Sequence, residues 1–461
     1  MNQETSPTLS VISARQLLPQ LRALQQNTIG FLLETTRQHG DLVLFDLGKQ
    51  RAVLVNDANL VKQILQDRHP HYDKNTIQYN MLATVTGRGL LTADGEDWFK
   101  HRRMQQPAFV RPRLETSLVP HIVPAAQRML DRWQTAAQRG ELLDVDREMM
   151  DVALEVVGQA LFSLDLSRDA RRLTSAVLVC LDHIIHLARN PHLSLLPDWL
   201  PQPGGQKFKR ALKELNQSVE EIIHQRRAAG GPPPDDLVTM LLNARDPESG
   251  EGLSDAQIRD ELITILIAGH ETVASALTWT WLLLAQNPDA FQHLRAELHS
   301  VLPDHDPTAE DLQRLPYTAA IFDEALRLYP PAWLITRRVV EADSYYDVRV
   351  EPGTLVILSP YTLQRHPRYW PDPHAFRPER FLPDATKTYP RYAYIPFGGG
   401  PRLCIGNHFA KMEAAIIIAM VARRFRLERA DSAEVFPESL VTLRPRGGLP
   451  MRPIPLSEEA N

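Results

Sequence analysis

Cysteine is nearly absent from this chain: Cys180 and Cys404 are the two in 461 residues. They lie far apart with no CxxC spacing, which argues against a disulfide framework and a cysteine-built zinc site. A basic excess is also missing. The formal net charge is -5, so no electrostatic footprint for a nucleic acid is present. No uninterrupted apolar run reaches the roughly 18 residues that span a bilayer. The N-terminal MNQETSPTLSVISARQLLPQL shows no charged-then-apolar leader pattern. These absences give the expectation of a soluble protein with no transmembrane segment, kept in a reducing cytoplasm.

What is present is the composition of a globular protein, with 43% hydrophobic and 23% charged residues. Residues 41–56, DLVLFDLGKQRAVLVN, set β-formers on both sides of a Gly-Lys-Gln turn and predict a hairpin. A second strand-rich region covers 334–360, where EPGT supplies a turn between two short strands. Between these regions the periodicity is helical, and Gly230-Gly231-Pro232-Pro233-Pro234 reads as a surface loop between helices. The fold class expected is mainly α. One large domain would span 1–461, with residues 1–20 disordered and small β-regions near the N-terminus and in 334–360.

The clearest helix follows Ser254, whose hydroxyl and the Gln257 side chain form a capping-box pattern. It runs without proline to Asn287-Pro288, about 32 residues, and is apolar all round in its middle, which predicts burial. That middle contains Ala268-Gly269-His270-Glu271-Thr272.

Cys404 lies in FGGGPRLCIGNHFA, residues 397–410, just before an apolar helical run. Glycines at 398, 399, 400 and 406 allow positive φ and close backbone approach. A helix beginning near 405–407 would aim its unpaired N–H groups at the sulfur and, with Arg402, favour the thiolate. A thiolate is a nucleophile or a metal ligand. His408 keeps the nucleophile reading open, whereas no Lys-Ser or Lys-Thr completes a phosphate loop and no further close Cys or His completes a zinc site. A single thiolate suffices for haem iron, since the porphyrin supplies four ligands.

Phe397-x-x-Gly400-x-Arg402-x-Cys404-x-Gly406 resembles the cysteine-loop signature of the cytochrome P-450 haem-thiolate monooxygenases, and further segments match that family in order along the chain. Glu324-x-x-Arg327 followed by Pro378-Glu379-Arg380-Phe381, the AGHET segment and Trp98-x-x-x-Arg102 are the others. The resemblance implies haem b (iron protoporphyrin IX) with Cys404 as axial iron ligand. Trp98, Arg102, Arg402 and Arg338 are implied propionate donors, with Arg337 an alternative to Arg338 by a one-residue slip. Phe397, Gly398, Gly406 and Ala268 would line the cofactor. Glu271 and Thr272 would be catalytic, relaying protons and hydrogen-bonding dioxygen. Glu324, Arg327 and Arg380 would form a buried network that holds the scaffold of the cysteine loop.

The activity implied is insertion of one oxygen atom from O2 into an apolar substrate, by hydroxylation or epoxidation. The chain shows no convincing GxGxxG site and no iron–sulfur cysteines, so no fused reductase is expected. Electrons from NAD(P)H would arrive through a ferredoxin or flavodoxin with its reductase. Lys100, Arg103, Arg113, Lys411 and Arg423 are candidates for a basic docking face. Trp333, Leu334 and Ile335 suggest an apolar pocket lining, suited to a lipid, fatty acid or terpenoid. A haem-thiolate peroxygenase or isomerase, and a non-catalytic haem sensor or electron carrier, remain the alternative readings.

Overall fold

The apolar runs in LVLFD and RAVLV form strands whose opposite faces enter two cores, with Leu42, Val53 and Val55 in one and Val43, Phe45 and Leu54 in the other. They belong to a computed structural model that describes residues 9–117, 119–163, 169–189, 204–229, 232–385 and 389–456. The chain divides into two units, the first comprising residues 1–78, 319–405 and 435–446.

In unit one the strands include β1 (Leu9–Ser13), β2 (Leu42–Asp46), β3 (Arg51–Val55), β4 (Tyr72–Asp73), β5 (Ile335–Val339), β6 (Asp343–Tyr345), β7 (Val348–Val350) and β8 (Leu355–Leu358), with a separate ribbon of Pro437–Ser439 and Leu443–Pro445. The main sheet has the order β1-β2-β3-β8-β5-β4. Strands β2 and β3 form the expected antiparallel hairpin, with Leu42 opposite Val55. The EPGT turn lies between two short strands as expected: it joins β7, which pairs with β6 in a separate ribbon, to β8, which enters the main sheet between β3 and β5. Disorder of residues 1–20 is corrected from Leu9 onward, since β1 pairs in parallel with β2; residues 1–8 lie outside the described residues. One face of the sheet packs Val53, Val55, Val356 and Leu358 into a cluster with Trp370 and Tyr392.

Unit two, residues 79–318, 406–434 and 447–461, is built from helices. They include α1 (Gly95–Gln105), α2 (Val119–Gln138), α3 (Val145–Phe162), α4 (Asp255–Gln286), α5 (Pro288–Val301) and α6 (Asn407–Arg424). Helix α4 starts at the Ser254 capping box, with both reciprocal bonds formed, and ends at Asn287. Its 32 residues pack most extensively on α3, and Gly269 permits the approach of Val157, 3.0 Å from where a Cβ would stand. By length and hydropathy α4 could cross a membrane, but 83% of its most apolar 18-residue window is buried in the protein. Pro232–Pro234 are exposed between two helices, as expected for a loop; Gly230 and Gly231 lie outside the described residues.

Candidate active site

The cysteine loop belongs to unit one, which pins it at several points. The Cys404 N–H donates to Phe397 O at 3.0 Å, and Gly398 N donates to Ile395 O at 3.0 Å. Gly400 has φ +63°, and a Cβ there would stand 1.8 Å from Leu65 O, so no other residue fits. The Gly400 N–H donates to the Tyr392 hydroxyl, which in turn donates to Gln66 Oε1. Cys404 itself is exposed. Cys180 is the opposite case, buried, with its thiol pushed up to about 12 by desolvation. An accessible sulfur is the one able to meet a ligand.

Behind this loop lies a saturated ion pair. Glu324 and Arg327, on the helix Pro316–Leu328, have no exposed side-chain surface. Arg327 Nε donates to Glu324 Oε2 at 2.7 Å and Nη2 to Oε1 at 2.8 Å. Its remaining donors reach the carbonyls of Gln364, Pro373 and Ala375. All five guanidinium donors are therefore used. Glu324 Oε1 also accepts from Arg377 N at 2.9 Å and lies 3.5 Å from Arg380 Nε. The network extends toward the cysteine loop through Gln364, whose Oε1 accepts from Ile395 N at 2.9 Å. Gln364 and Tyr392 were not found from the sequence. No spacing rule points to either, because each works through a partner distant in the chain.

The two candidate propionate arginines of β5 leave opposite faces of the strand, following its period of two. Arg338 pairs with Asp73, its cross-strand neighbour on β4, through Nε at 3.1 Å. Arg337 is buried and donates from Nη1 to Thr336 O at 2.8 Å. Of the expected pocket residues, Trp333 is buried and donates to Leu440 O, Ile335 packs into the sheet cluster, and Leu334 is partly exposed.

In unit two, α4 is buried from Glu261 to Ile267, and the cover then opens at Ala268, Gly269 and Thr272. Those positions share one face of the helix. Thr272 Oγ1 donates to Ala268 O at 2.7 Å, one turn back, while Glu271 is buried. His270 is directed elsewhere, with Nδ1 2.7 Å from Leu266 O. Trp98 and Arg102 lie one turn apart on α1, the indole buried and the guanidinium partly exposed. Gly406 caps α6, and a Cβ there would meet nothing within 4 Å among the described residues. Within unit one the exposed thiol suits a metal that needs one sulfur ligand; within unit two the partly open strip of small residues on α4 and the space at Gly406 leave room for a flat group.

Four of the five residues expected on a basic docking face have acidic or carbonyl partners. Lys100 pairs with Glu251 at 2.8 Å, Arg103 with Asp246 and Glu248 at 3.0 Å, and Arg113 with Asp235. Arg423 donates to His305 O at 2.6 Å. Acids distant in sequence neutralise charges that looked free in the linear chain.

Comparison with known proteins gives a consistent result. The family model described as Cytochrome P450 matches residues 7–451. Cyclooctatin synthase of Streptomyces melanosporofaciens is 36% identical over 420 residues, covering 90% of this chain and 89% of that protein. Pentalenene oxygenase of Streptomyces avermitilis is 34% identical over 409 residues, covering 88% of each. Among solved structures, CYP175A1 from Thermus thermophilus superimposes with a TM-score of 0.78 at 34% identity, covering 96% of this chain and 99% of that one.

Proposed function

The chain belongs to the cytochrome P450 family and is an oxidoreductase of the monooxygenase type. On that premise we propose that it hydroxylates an apolar, terpenoid-like substrate using O2, with electrons from NAD(P)H delivered by a separate ferredoxin or flavodoxin system. The Cys404 loop carries this reading: an exposed thiol, held by its own backbone and by Tyr392, in a sequence that matches the family signature at each defining position. The substrate class is supported by pentalenene oxygenase and cyclooctatin synthase, whose names refer to terpenoid products or substrates, and by the apolar helix leading to Ala268.

Haem, when bound, supplies an iron that activates dioxygen, and an anionic sulfur ligand favours O–O cleavage. Cys404 would hold that iron. Trp98, Arg102, Arg402 and Arg338 would hold the propionates through hydrogen-bond donors, three of them charged. Phe397, Gly398, Gly406 and Ala268 would shape the space around the ring. Thr272 holds its hydroxyl proton on Ala268 O; releasing that bond frees Oγ1 to accept one hydrogen bond and donate another at the oxygen site. Glu271 stands next to it as the group that takes up protons from water and passes them on. Glu324, Arg327 and Arg380 contribute rigidity rather than chemistry.

The test is the absorption spectrum of the reduced protein under carbon monoxide. The haem-thiolate band is expected in the parent and absent in Cys404→Ser; its absence from the parent overturns the reading. Thr272→Ala is expected to retain the band while releasing more peroxide per NAD(P)H consumed in a reaction with surrogate redox partners. Unchanged coupling in that variant removes Thr272 from its assigned role.

A further inference from the structure

The turn Gly87-Arg88-Gly89-Leu90 is bound to α4 by two consecutive carboxylates, an arrangement the oxidation chemistry does not require. Arg88 N donates to Asp260 Oδ2 at 2.9 Å, and Leu90 N donates to Glu261 Oε2 at 2.9 Å. Between them Gly89 lies so close to the helix that a Cβ would stand 2.2 Å from Thr264 Oγ1 and 2.7 Å from Asp260 O. The turn is closed on itself by Thr92, whose Oγ1 donates to Gly87 O at 2.7 Å and whose N–H donates to Gly89 O at 3.0 Å.

Glu261 has no exposure, and its second oxygen lies 2.6 Å from Nδ1 of His101, a buried residue of α1. That contact does not have hydrogen-bond geometry. His101 Nε2 is 3.4 Å from Gln257 Nε2 on the same helix. One carboxylate thus joins three elements: the turn, α1 with its Trp98 and Arg102, and α4. Removing a carboxylate from water is costly, so a position that retains one in the interior of an apolar helix is tied to its partners.

At about 100° per residue, positions seven and eleven beyond Glu261 return to within roughly 20° of its direction. Those positions are Ala268 and Thr272. The turn is therefore held on the helix face that carries the uncovered strip, with Glu261 about 10 Å before Ala268 along the axis.

We infer that Asp260 and Glu261 form a backbone clamp that sets the selectivity of the site for large substrates, by fixing the Gly87–Leu90 turn as a wall on the Ala268–Thr272 face of α4. The inference rests on the cytochrome P450 reading above and names positioning residues for it. The clamp acts through amide groups, so it fixes the turn whatever side chains the turn carries. A loosened turn would occupy the wall position only part of the time, and the affinity of any ligand that needs the wall would fall by that fraction.

Two azoles that bind haem iron through nitrogen separate the effects in the haem-loaded enzyme. Imidazole is small enough to report on the iron alone; clotrimazole is bulky and apolar and reports on the wall. Glu261→Ala and Asp260→Ala are expected to weaken clotrimazole about fivefold to tenfold while leaving imidazole within about twofold of the parent. Glu261→Gln keeps an oxygen for Leu90 N–H and is expected to bind both azoles as the parent does. Should Glu261→Ala fail to fold, Asp260→Ala carries the test, since that side chain is 15% exposed. Equal losses for both azoles, or no loss of clotrimazole in Asp260→Ala, overturn the clamp. A parent protein that binds neither azole and lacks the thiolate band overturns the haem-thiolate reading itself.

Discussion

Glu324 of unit one and Glu413 of unit two, both without solvent exposure, stand in opposite circumstances. Glu324 in unit one accepts two bonds from Arg327 and one from Arg377 N, and faces Arg380. Glu413 in unit two lies on α6, nine residues after Cys404, next to Met412, Ala414, Ala415, Ile416 and Ile417 in sequence, and neither of its oxygens has a hydrogen-bond partner among the described residues. Desolvation alone raises the Glu413 pKa well above the ordinary carboxylate value. Burial is the same for both, so burial does not decide their state; the partners do. Glu324 faces an arginine whose every donor is placed, while burial without partners pushes Glu413 toward its neutral form.

The largest consequence falls on the paired site. Arg327→Met would leave Glu324 with a buried charge and lose three carbonyl contacts. The expected cost is about 3 to 5 kcal/mol, read as a lower denaturant midpoint and weaker haem retention. A loss below about 1 kcal/mol would show that the charge is carried by the other partners. Glu413→Met is expected to act in the opposite direction, stabilising by about 1 to 3 kcal/mol because it removes unsatisfied buried polar atoms at similar volume.

The unpaired acid also gives a pH signature of defined sign. A folded pKa above the unfolded one means that the folded state retains the proton where the unfolded chain has lost it. The stability from this group is complete below the ordinary value of 4.5 and is lost as pH rises from there toward the folded value. The slope is about 1.4 kcal/mol per pH unit across that window. Glu413→Gln has no such slope, so its advantage over the parent should grow with pH in denaturation series begun near pH 5. An advantage that stays constant would show that Glu413 is charged in the folded protein.

These contrasts also explain what the sequence could reveal. Glu324 and Arg327 were legible because both lie in one helical turn, and α4 was legible to the residue because its cap and its terminal Asn-Pro are local signals. Gln364, Tyr392 and the Asp260–Glu261 clamp were not, since their partners lie 31, 326 and about 170 residues away and no periodicity encodes them. The same distance hid the acids that pair with Lys100 and Arg113. Glu413 was passed over for a different reason. A single acid in KMEAAIIIAMV looks like the polar side of a helix, and only packing on every side reveals that this helix has none.

The smallest effect concerns the outer member of the Glu324 network. Arg380 Nε is 3.5 Å from Glu324 Oε1, while its Nη2 donates to Pro371 O at 2.6 Å and to Asp372 O at 3.1 Å. Its side chain is 13% exposed, and burial lowers its pKa against the opposing pull of Glu324. Arg380 therefore spends its donors on carbonyls and supplies Glu324 mainly with a nearby charge. A double-mutant cycle of Arg380→Gln with Glu324→Gln should give a coupling of about 1 kcal/mol or less. The matching cycle with Arg327→Gln should give about 3 kcal/mol, in keeping with its bidentate contact. Equal couplings would mean that two cations share the carboxylate, and that Glu324 stays charged through the summed field rather than through the completed guanidinium of Arg327.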